Sequence, residues 1–247
     1  MDAQQLFKAG KLTEAIPALN VLLRENPSDQ RSRTFLFELL CFAGDYDRAE
    51  KQLAILEQEG NQDSMLGALL YRAAIAAERT RQHMFKTKSF PQQHAVNGDA
   101  PEPVQGKLNG KEFSSLSDAD PRFGTKLEIF AAGDYMWISY ADIAAIEIEP
   151  PEKLRDMLWA PAKIAAGPAL LSRELGEILL PVISPLSWQH PDDDVRLGRA
   201  TEWCEEEDGG EAPYGLKNLL VDGEEVPFLE IRRLEIYPAT QSQPASV

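Results

Sequence analysis

Two copies of one turn motif, separated by a fixed interval, limit what the N-terminal part of this chain can form. Residues 10–16 (GKLTEAI) reappear as residues 44–50 (GDYDRAE), an offset of 34 residues, and this is the period of tetratricopeptide repeats. In both copies a glycine can adopt the positive φ that ends a helix, and a small alanine lets two helices approach closely. The spacing therefore predicts pairs of antiparallel helices.

Apolar residues at helical spacing extend on both sides of these turns to about residue 88. They predict a tetratricopeptide-like domain of about five helices over residues 1–88, in which the last helix closes the array. If the array has a concave groove, the first helix of each pair lines it, and an amphipathic helix or an extended peptide could bind there. A self-contained bundle without a groove is the alternative. The candidate partner-binding residues are Phe7, Arg31, Thr34, Glu38, Phe42, Arg72 and Ile75.

The composition changes after the helices. Residues 89–105 contain three prolines and no periodicity, which is typical of a linker, and all four tryptophans lie beyond them. In residues 106–238 we predict hairpin turns at Asn109-Gly110 and at 131–134, strands over 143–149, 178–183 and 232–237, and a short helix over 153–158. The predicted fold class is α+β, with the helical repeat array followed by a mainly antiparallel β domain with short helices. We expect residues 239–247 to be a disordered tail.

The charge of the chain excludes several classes of partner. The formal net charge is −15; residues 1–105 hold 12 basic and 14 acidic side chains (net −2), whereas residues 106–247 hold 13 and 26 (net −13). Such a surface repels phosphate groups, so neither nucleic acid nor an anionic membrane is expected as a partner. No apolar stretch approaches the roughly 20 residues that span a bilayer, and no secretory signal pattern is present. We expect a cytoplasmic protein without membrane insertion.

Residues 192–211 hold nine acidic side chains, beginning with Asp192-Asp193-Asp194. A divalent-metal site needs carboxylates that converge on one ion, and consecutive aspartates on a loop point in different directions. The pattern therefore predicts a solvated acidic loop, with a metal-dependent enzyme that uses these acids as the alternative. The three histidines have no ligand spacing, and no glycine-rich phosphate loop occurs. We predict no catalytic residue, cofactor or metal ligand.

Three mixed blocks of charged and aromatic residues occur in the second part, at 118–124 (DADPRFG), 150–159 (PPEKLRDMLW) and 197–203 (LGRATEW). Arginine–carboxylate pairs that stabilise the fold are one interpretation of these blocks, and a binding surface is the other. In this order behind a helical repeat, and together with the YMWI segment at 135–138, they resemble the ImpE/TagJ family of type VI secretion accessory proteins, also described as SciE-type. A departure is Glu202, where the family pattern has aspartate. We interpret the motif residues as structural: Asp118, Asp120, Arg122, Phe123, Trp137, Arg155, Asp156, Trp159, Arg199 and Trp203.

The resemblance implies a function, because members of this family are thought to be non-enzymatic adaptors of a contractile injection apparatus. It implies two partners for this chain: the small subunit of the contractile sheath and the AAA+ ATPase that disassembles the contracted sheath. A helical-repeat groove suits an amphipathic helix from such a sheath subunit. A purely structural scaffold, whose domains pack together and leave no ligand groove, is the remaining alternative.

Overall fold

The computed structural model describes residues 1–59, 62–90, 103–167, 178–206 and 209–238. Residues 91–102 of the predicted linker and the predicted tail at 239–247 lie outside these described residues, and residues 89–90 and 103–105 belong to no helix or strand. Across the described chain, no helix combines the length and the apolar character needed to cross a membrane. The N-terminal part consists of the helices α1 (Ala3–Lys8), α2 (Leu12–Glu25), α3 (Gln30–Phe42), α4 (Tyr46–Glu59) and α5 (Gln62–Thr87).

The helical repeat is confirmed, and its turns have the predicted chemistry. Gly10 and Gly44 adopt φ values of +76° and +69°, a left-handed conformation that favours glycine after a helix. Asp29 caps α3, since its carboxylate accepts hydrogen bonds from the backbone N–H groups of Arg31 and Ser32. Pro17 is the sixth residue of α2, past its first turn, so its missing N–H leaves the carbonyl of Thr13 without the usual helical hydrogen bond.

The second part is built on antiparallel strands, as predicted. The strands are β1 (Gly106–Leu108), β2 (Lys111–Phe113), β3 (Leu116–Asp118), β4 (Lys126–Ala131), β5 (Asp134–Ser139), β6 (Ile143–Ile148), β7 (Trp159–Ala166), β8 (Ile178–Pro181), β9 (Thr201–Glu205), β10 (Glu211–Gly215), β11 (Asn218–Val221), β12 (Glu224–Pro227) and β13 (Arg233–Ile236). Within the described residues, eight of them form one sheet in the order β2-β1-β13-β6-β7-β8-β4-β5, while β12-β11-β3 and β10-β9 form two smaller sheets. A further helix, α6 (Asp193–Arg196), precedes β9.

Tight hairpin turns set the register of several strand pairs. Asn109-Gly110 joins β1 to β2 and Ala132-Gly133 joins β4 to β5, both with positive φ at the two turn residues, which matches the twist of the flanking strands. The same geometry recurs at Asp222-Gly223 between β11 and β12, a turn that sequence reasoning missed. The predicted helix over 153–158 is a shorter 3₁₀ helix, Leu154–Met157.

Two apolar clusters divide the interior. One lies within the β domain and contains Ile129, Leu180 and Leu234. The other is shared, because residues of the helices pack together with Phe130 and Trp159 of the sheet. Strand β4 contributes to both clusters, since successive side chains along a strand point to opposite faces. The repeat domain and the β domain are therefore joined through a common core.

Candidate protein-interaction site

A buried cluster of charged side chains joins the two domains. Arg81 on α5 reaches the sheet, where its Nε and Nη2 donate to the two carboxylate oxygens of Glu128 at 2.6 and 2.8 Å. The same guanidinium donates to Glu78 at 3.0 Å and to the carbonyl of Ile183 at 2.8 Å. Lys217 completes the cluster, because its Nζ lies 2.6 Å from Glu128 and 2.9 Å from Asp118. All five of these charged side chains are buried.

Burial and ion pairing act in opposite directions on the pKa values of this cluster. Burial by itself raises the pKa of Glu128, but the charges of Arg81 and Lys217 outweigh it and hold that pKa below its usual value. In Asp118 burial dominates and raises the pKa to about 6, although the charge of Lys217 opposes the shift. Removing one partner from such a cluster leaves an uncompensated buried charge, which costs about 3–5 kcal/mol.

The cluster holds the domains together; its chemistry does not point to catalysis. Beside it lies a cavity of about 30 Å³, lined by Cys41, Glu78 and Trp188 among others, which is room for about one water molecule. Within the described ranges, no group of three or more His, Cys, Asp or Glu side chains is arranged to hold a metal ion. We assign the cluster a role in fixing the orientation of the domains.

A second contact docks the segment 188–196 of the β domain onto the two repeat turns. The ring of Trp188 covers Gly44 so closely that an added Cβ would lie 2.5 Å from it, and the carboxylate of Asp194 covers Gly10 in the same way. Asp193 accepts hydrogen bonds from the backbone N–H of Thr13 at 2.7 Å and from its hydroxyl at 3.0 Å. The N-terminus of α2 is therefore capped from the other domain.

This docking corrects the expectation of a solvated acidic loop over 192–211. Asp192 caps the short helix α6, Asp193 caps α2, and β9 and β10 form a hairpin that includes Glu202 and Glu205. Strand β9 remains acidic and mostly exposed, whereas Ala212, Pro213 and Gly215 of β10 are buried. Residues 207–208 lie outside the described residues.

The structure also corrects part of the predicted partner-binding set, because three of its seven residues are buried. Phe42 is 2% exposed and Ile75 is not exposed at all, so both belong to the shared core and face no ligand groove. Glu38 is buried as well and pairs with Arg155 of the β domain at 2.9 Å. Burial raises the pKa of Glu38, against the opposing charge of Arg155. The β domain thus fills part of the concave face.

The other four predicted residues do not form one surface. The ring of Phe7 lies under the guanidinium of Arg199, 4.8 Å from its centroid. Arg72 forms an ion pair with Glu57 at 2.6 Å. Arg31 is exposed at the start of α3, and Thr34 lines an open groove.

That groove lies between α3, α4 and α5 and has a volume of about 290 Å³. Arg155 lies at its edge, with its guanidinium 4.7 Å from the ring centroid of Tyr71. A separate exposed apolar stripe lies on the side of α5 that faces away from this groove: Met65, Leu66, Leu69 and Leu70 are 52, 62, 66 and 40% exposed. Contiguous apolar surface of this kind marks interaction sites. The groove is lined mainly by Thr34, Phe37, Leu53, Leu56, Ala68 and Tyr71.

The DADPRFG block at 118–124 and the YMWI segment at 135–138 converge on the C-terminal part of α5. Asp120 accepts a two-pronged ion pair from Arg122, with N–O distances of 2.9 and 2.7 Å. Phe123 and Trp137 stack around Phe85 of α5, with centroid distances of 5.2 and 6.1 Å. Asp118 belongs to the buried charge cluster.

The blocks at 150–159 and 197–203 also contact the helices, apart from two of their residues. Arg155 pairs with Glu38, and the indole N–H of Trp159 donates to Glu78 at 3.0 Å. Arg199 donates to the carbonyl of Phe7 at 2.6 Å, which satisfies the end of α1. The other two motif residues stay within the β domain: Asp156 accepts from the backbone N–H of Lys153 at 2.8 Å, and Trp203 is 42% exposed on β9, where it is paired with Pro213 of β10.

Sequence reasoning missed the central members of the interface, Arg81, Glu128 and Lys217. A signal existed for two of them. Glu128 interrupts the apolar run of β4, and Arg81 follows Ala74 and Ala77 at helical spacing on the buried face of α5. A charged residue on an apolar face predicts a buried ion pair.

Comparison with known proteins identifies the family of this chain. The ImpE family model matches residues 110–235, and a tetratricopeptide repeat model matches residues 6–73. The chain belongs to the ImpE family. It is 30% identical to the type VI secretion system accessory component TagJ of Pseudomonas aeruginosa, over 96% of this chain and 92% of that protein. The crystal structure of protein VPA1032 from Vibrio parahaemolyticus has the same fold, with a TM-score of 0.80 at 22% identity, over 95% of this chain and 97% of the other.

Proposed function

We propose that this protein is a non-enzymatic adaptor of a type VI secretion system, which acts in the cytoplasm and binds a helical segment of the small contractile-sheath subunit. The observation that carries the proposal is the open groove between α3, α4 and α5, which is lined mainly by apolar side chains. The relationship to an accessory component of such a system supports it. On the resemblance to the family, we extend the proposal to the AAA+ sheath-recycling ATPase as a second partner.

The shape of the groove suits the apolar face of a helix. Phe37, Leu53 and Leu56 line its walls, and Gly67 on α5 has no atom within 4 Å of the position where a Cβ would be. A ligand side chain can therefore approach the backbone of α5 at Gly67. A leucine of the partner that becomes fully buried in the groove contributes about 1.5–3 kcal/mol.

A pull-down with the purified small sheath subunit of the same secretion locus tests this proposal. Leu56→Glu and Thr34→Glu place a charge in the groove at partly buried positions outside the apolar core, so the fold should persist while affinity falls at least about tenfold. Leu22→Glu is the matched control, because Leu22 is an exposed leucine of α2 outside this groove. It is expected to bind like the wild type.

The possible outcomes separate the two parts of the proposal. If the wild-type chain does not bind the sheath subunit, the adaptor function is wrong. If both groove variants bind as tightly as the wild type, the function stands and the groove assignment is wrong.

A purely structural scaffold is the second candidate, and one observation favours it. The β domain already covers part of the concave face through Arg155 and Arg199, so less of the array is open than in an isolated repeat. The metal-dependent alternative has less support. Asp193 of the acidic stretch is bound to Thr13 and Arg196, and its carboxylate is not directed at a common site with its neighbours.

A further inference from the structure

We propose that a second groove, on a different face of the repeat domain, binds an acidic, amphipathic segment of another protein. This groove lies between α2, α3 and α4, has a volume of about 600 Å³, and uses Arg33 and Leu36 of α3. The groove described above uses Thr34 and Phe37 of the same helix. Adjacent residues of a helix point in different directions, so the two grooves are separate surfaces.

The second groove is positively charged, whereas the protein as a whole is negatively charged. Three arginines line it, Arg24, Arg33 and Arg48, and no acidic side chain does, although the chain has a net charge of −15. Arg24 forms no ion pair within the described part of the chain, and Arg48 has its partner Asp45 but stays 43% exposed. The groove thus carries an excess of positive charge.

Arg33 is held in the wall of the groove by neutral partners. It is 8% exposed, and its guanidinium donates to the side chain of Gln52 at 3.0 Å and to the carbonyl of Pro27. Its Nε has no hydrogen-bond partner within the described chain. The charge of this buried guanidinium is therefore not neutralised by the protein, and a carboxylate is the group that binds a guanidinium most strongly.

The groove also offers an apolar contact. Val21 lines it and is 51% exposed, and Ile16 and Leu36 lie in the same wall. A partner that fits both properties has an apolar side chain to cover Val21 and carboxylates placed to reach Arg24 and Arg48. An amphipathic acidic protein segment has this chemistry.

The overall charge distinguishes this partner from other anions. A nucleic acid or an anionic membrane extends far beyond the groove, so it meets the repulsion of the −15 chain as a whole. A short protein segment meets mainly the local field of the arginines. A second copy of this chain carries the same net charge and is repelled for the same reason.

Fluorescence anisotropy with the full chain tests the proposal. The probe is a labelled synthetic helix with leucine on one face and glutamate on the other, and the comparison peptide has glutamine in place of glutamate. The acidic probe is expected to bind at least about tenfold more tightly than the glutamine peptide, and less tightly as salt rises. Arg24→Glu and Val21→Asp should each weaken its binding about tenfold, since both residues are exposed and neither packs in the core. Lys111→Glu, at an exposed position of β2, is the control with the same charge change and should bind like the wild type.

Two results would overturn the proposal. Equal binding of the acidic and glutamine peptides would show that the arginines do not select the ligand. Binding that survives Arg24→Glu and Val21→Asp would show that the probe binds elsewhere. Sedimentation of the chain alone adds a third test: self-association that Arg24→Glu abolishes would make a second copy the occupant and refute the choice of another protein. None of these results depends on the sheath subunit, so this proposal and the adaptor function can fail separately.

Discussion

Replacing Arg81 by methionine removes the cation that joins α5 to the sheet. Arg81 is 2% exposed and donates to Glu128, Glu78 and the carbonyl of Ile183. Methionine fills most of the space, but buried Glu78 loses its ion pair with Arg81, and buried Glu128 keeps its ion pair with Lys217. The loss of a partner in a buried ion pair costs about 3–5 kcal/mol of unfolding free energy. The variant should therefore unfold at a urea concentration lower by roughly 1 M or more.

Urea denaturation measures this loss of unfolding free energy, and the transitions followed by tryptophan fluorescence and by far-ultraviolet circular dichroism should coincide. All four tryptophans lie in residues 106–247, whereas the far-ultraviolet circular dichroism reports mainly the helices. Because the domains share a core, the wild type should unfold in one transition by both signals. Two separated transitions would show that the domains are independent.

Arg233→Met is the matched control, because Arg233 forms an ion pair with Glu147 while 53% exposed. It should cost less than about 1 kcal/mol. If Arg81→Met costs no more than this control, the buried cluster does not hold the domains and the reasoning is wrong. Adding Glu128→Gln to Arg81→Met removes a buried charge that has lost one of its two cations, so the double variant should be less destabilised than the sum of the single changes.

Three further variants probe the interface. Burial raises the pKa of Asp118 to about 6, so the contribution of this group to the free energy of unfolding falls as the pH rises from about 4 to 6. Relative to the wild type, the free energy of unfolding of Asp118→Asn should therefore increase by up to about 3 kcal/mol between pH 4 and 7, as measured by urea denaturation at each pH. Asp193→Ala removes the cap of α2 and should cost about 1 kcal/mol in thermal melting, whereas no loss would refute the cap. Gly44→Ala brings a Cβ to 2.5 Å from Trp188, so it should lower the melting temperature by more than Gly110→Ala, where the Cβ meets open space.

The architecture could largely be predicted from the sequence because its signals are local. The repeat period, the glycines of the turns and the Asn109-Gly110 hairpin all depend on residues close together in the chain. Strand β7 was missed because Pro161 and a run of small residues hide its pattern. Strands β9 and β10 were missed because exposed acidic side chains are typical of loops, and here pairing with each other gives them their conformation.

The candidate site was harder to predict, because docking of the β domain decides which helix faces stay open. Phe42 and Ile75 have the spacing of groove residues, but the sheet covers their side of the array. Asp193 caps α2 through Thr13, which lies 180 residues earlier in the chain, and no local pattern records such a contact. Apolar residues at helical spacing predict a helix but do not show which face is buried, and Met65 and Leu66 of α5 are both more than half exposed.

Hydrogen exchange, measured by mass spectrometry on the full chain with and without the small sheath subunit, tests the adaptor function and its site together. Exchange of backbone amides reports local opening, which a bound partner suppresses. The account predicts added protection in the first half of α3 and around Met65 to Tyr71 on α5, with little change in β9 and β10. No added protection anywhere, or protection confined to the β9–β10 hairpin, would contradict it.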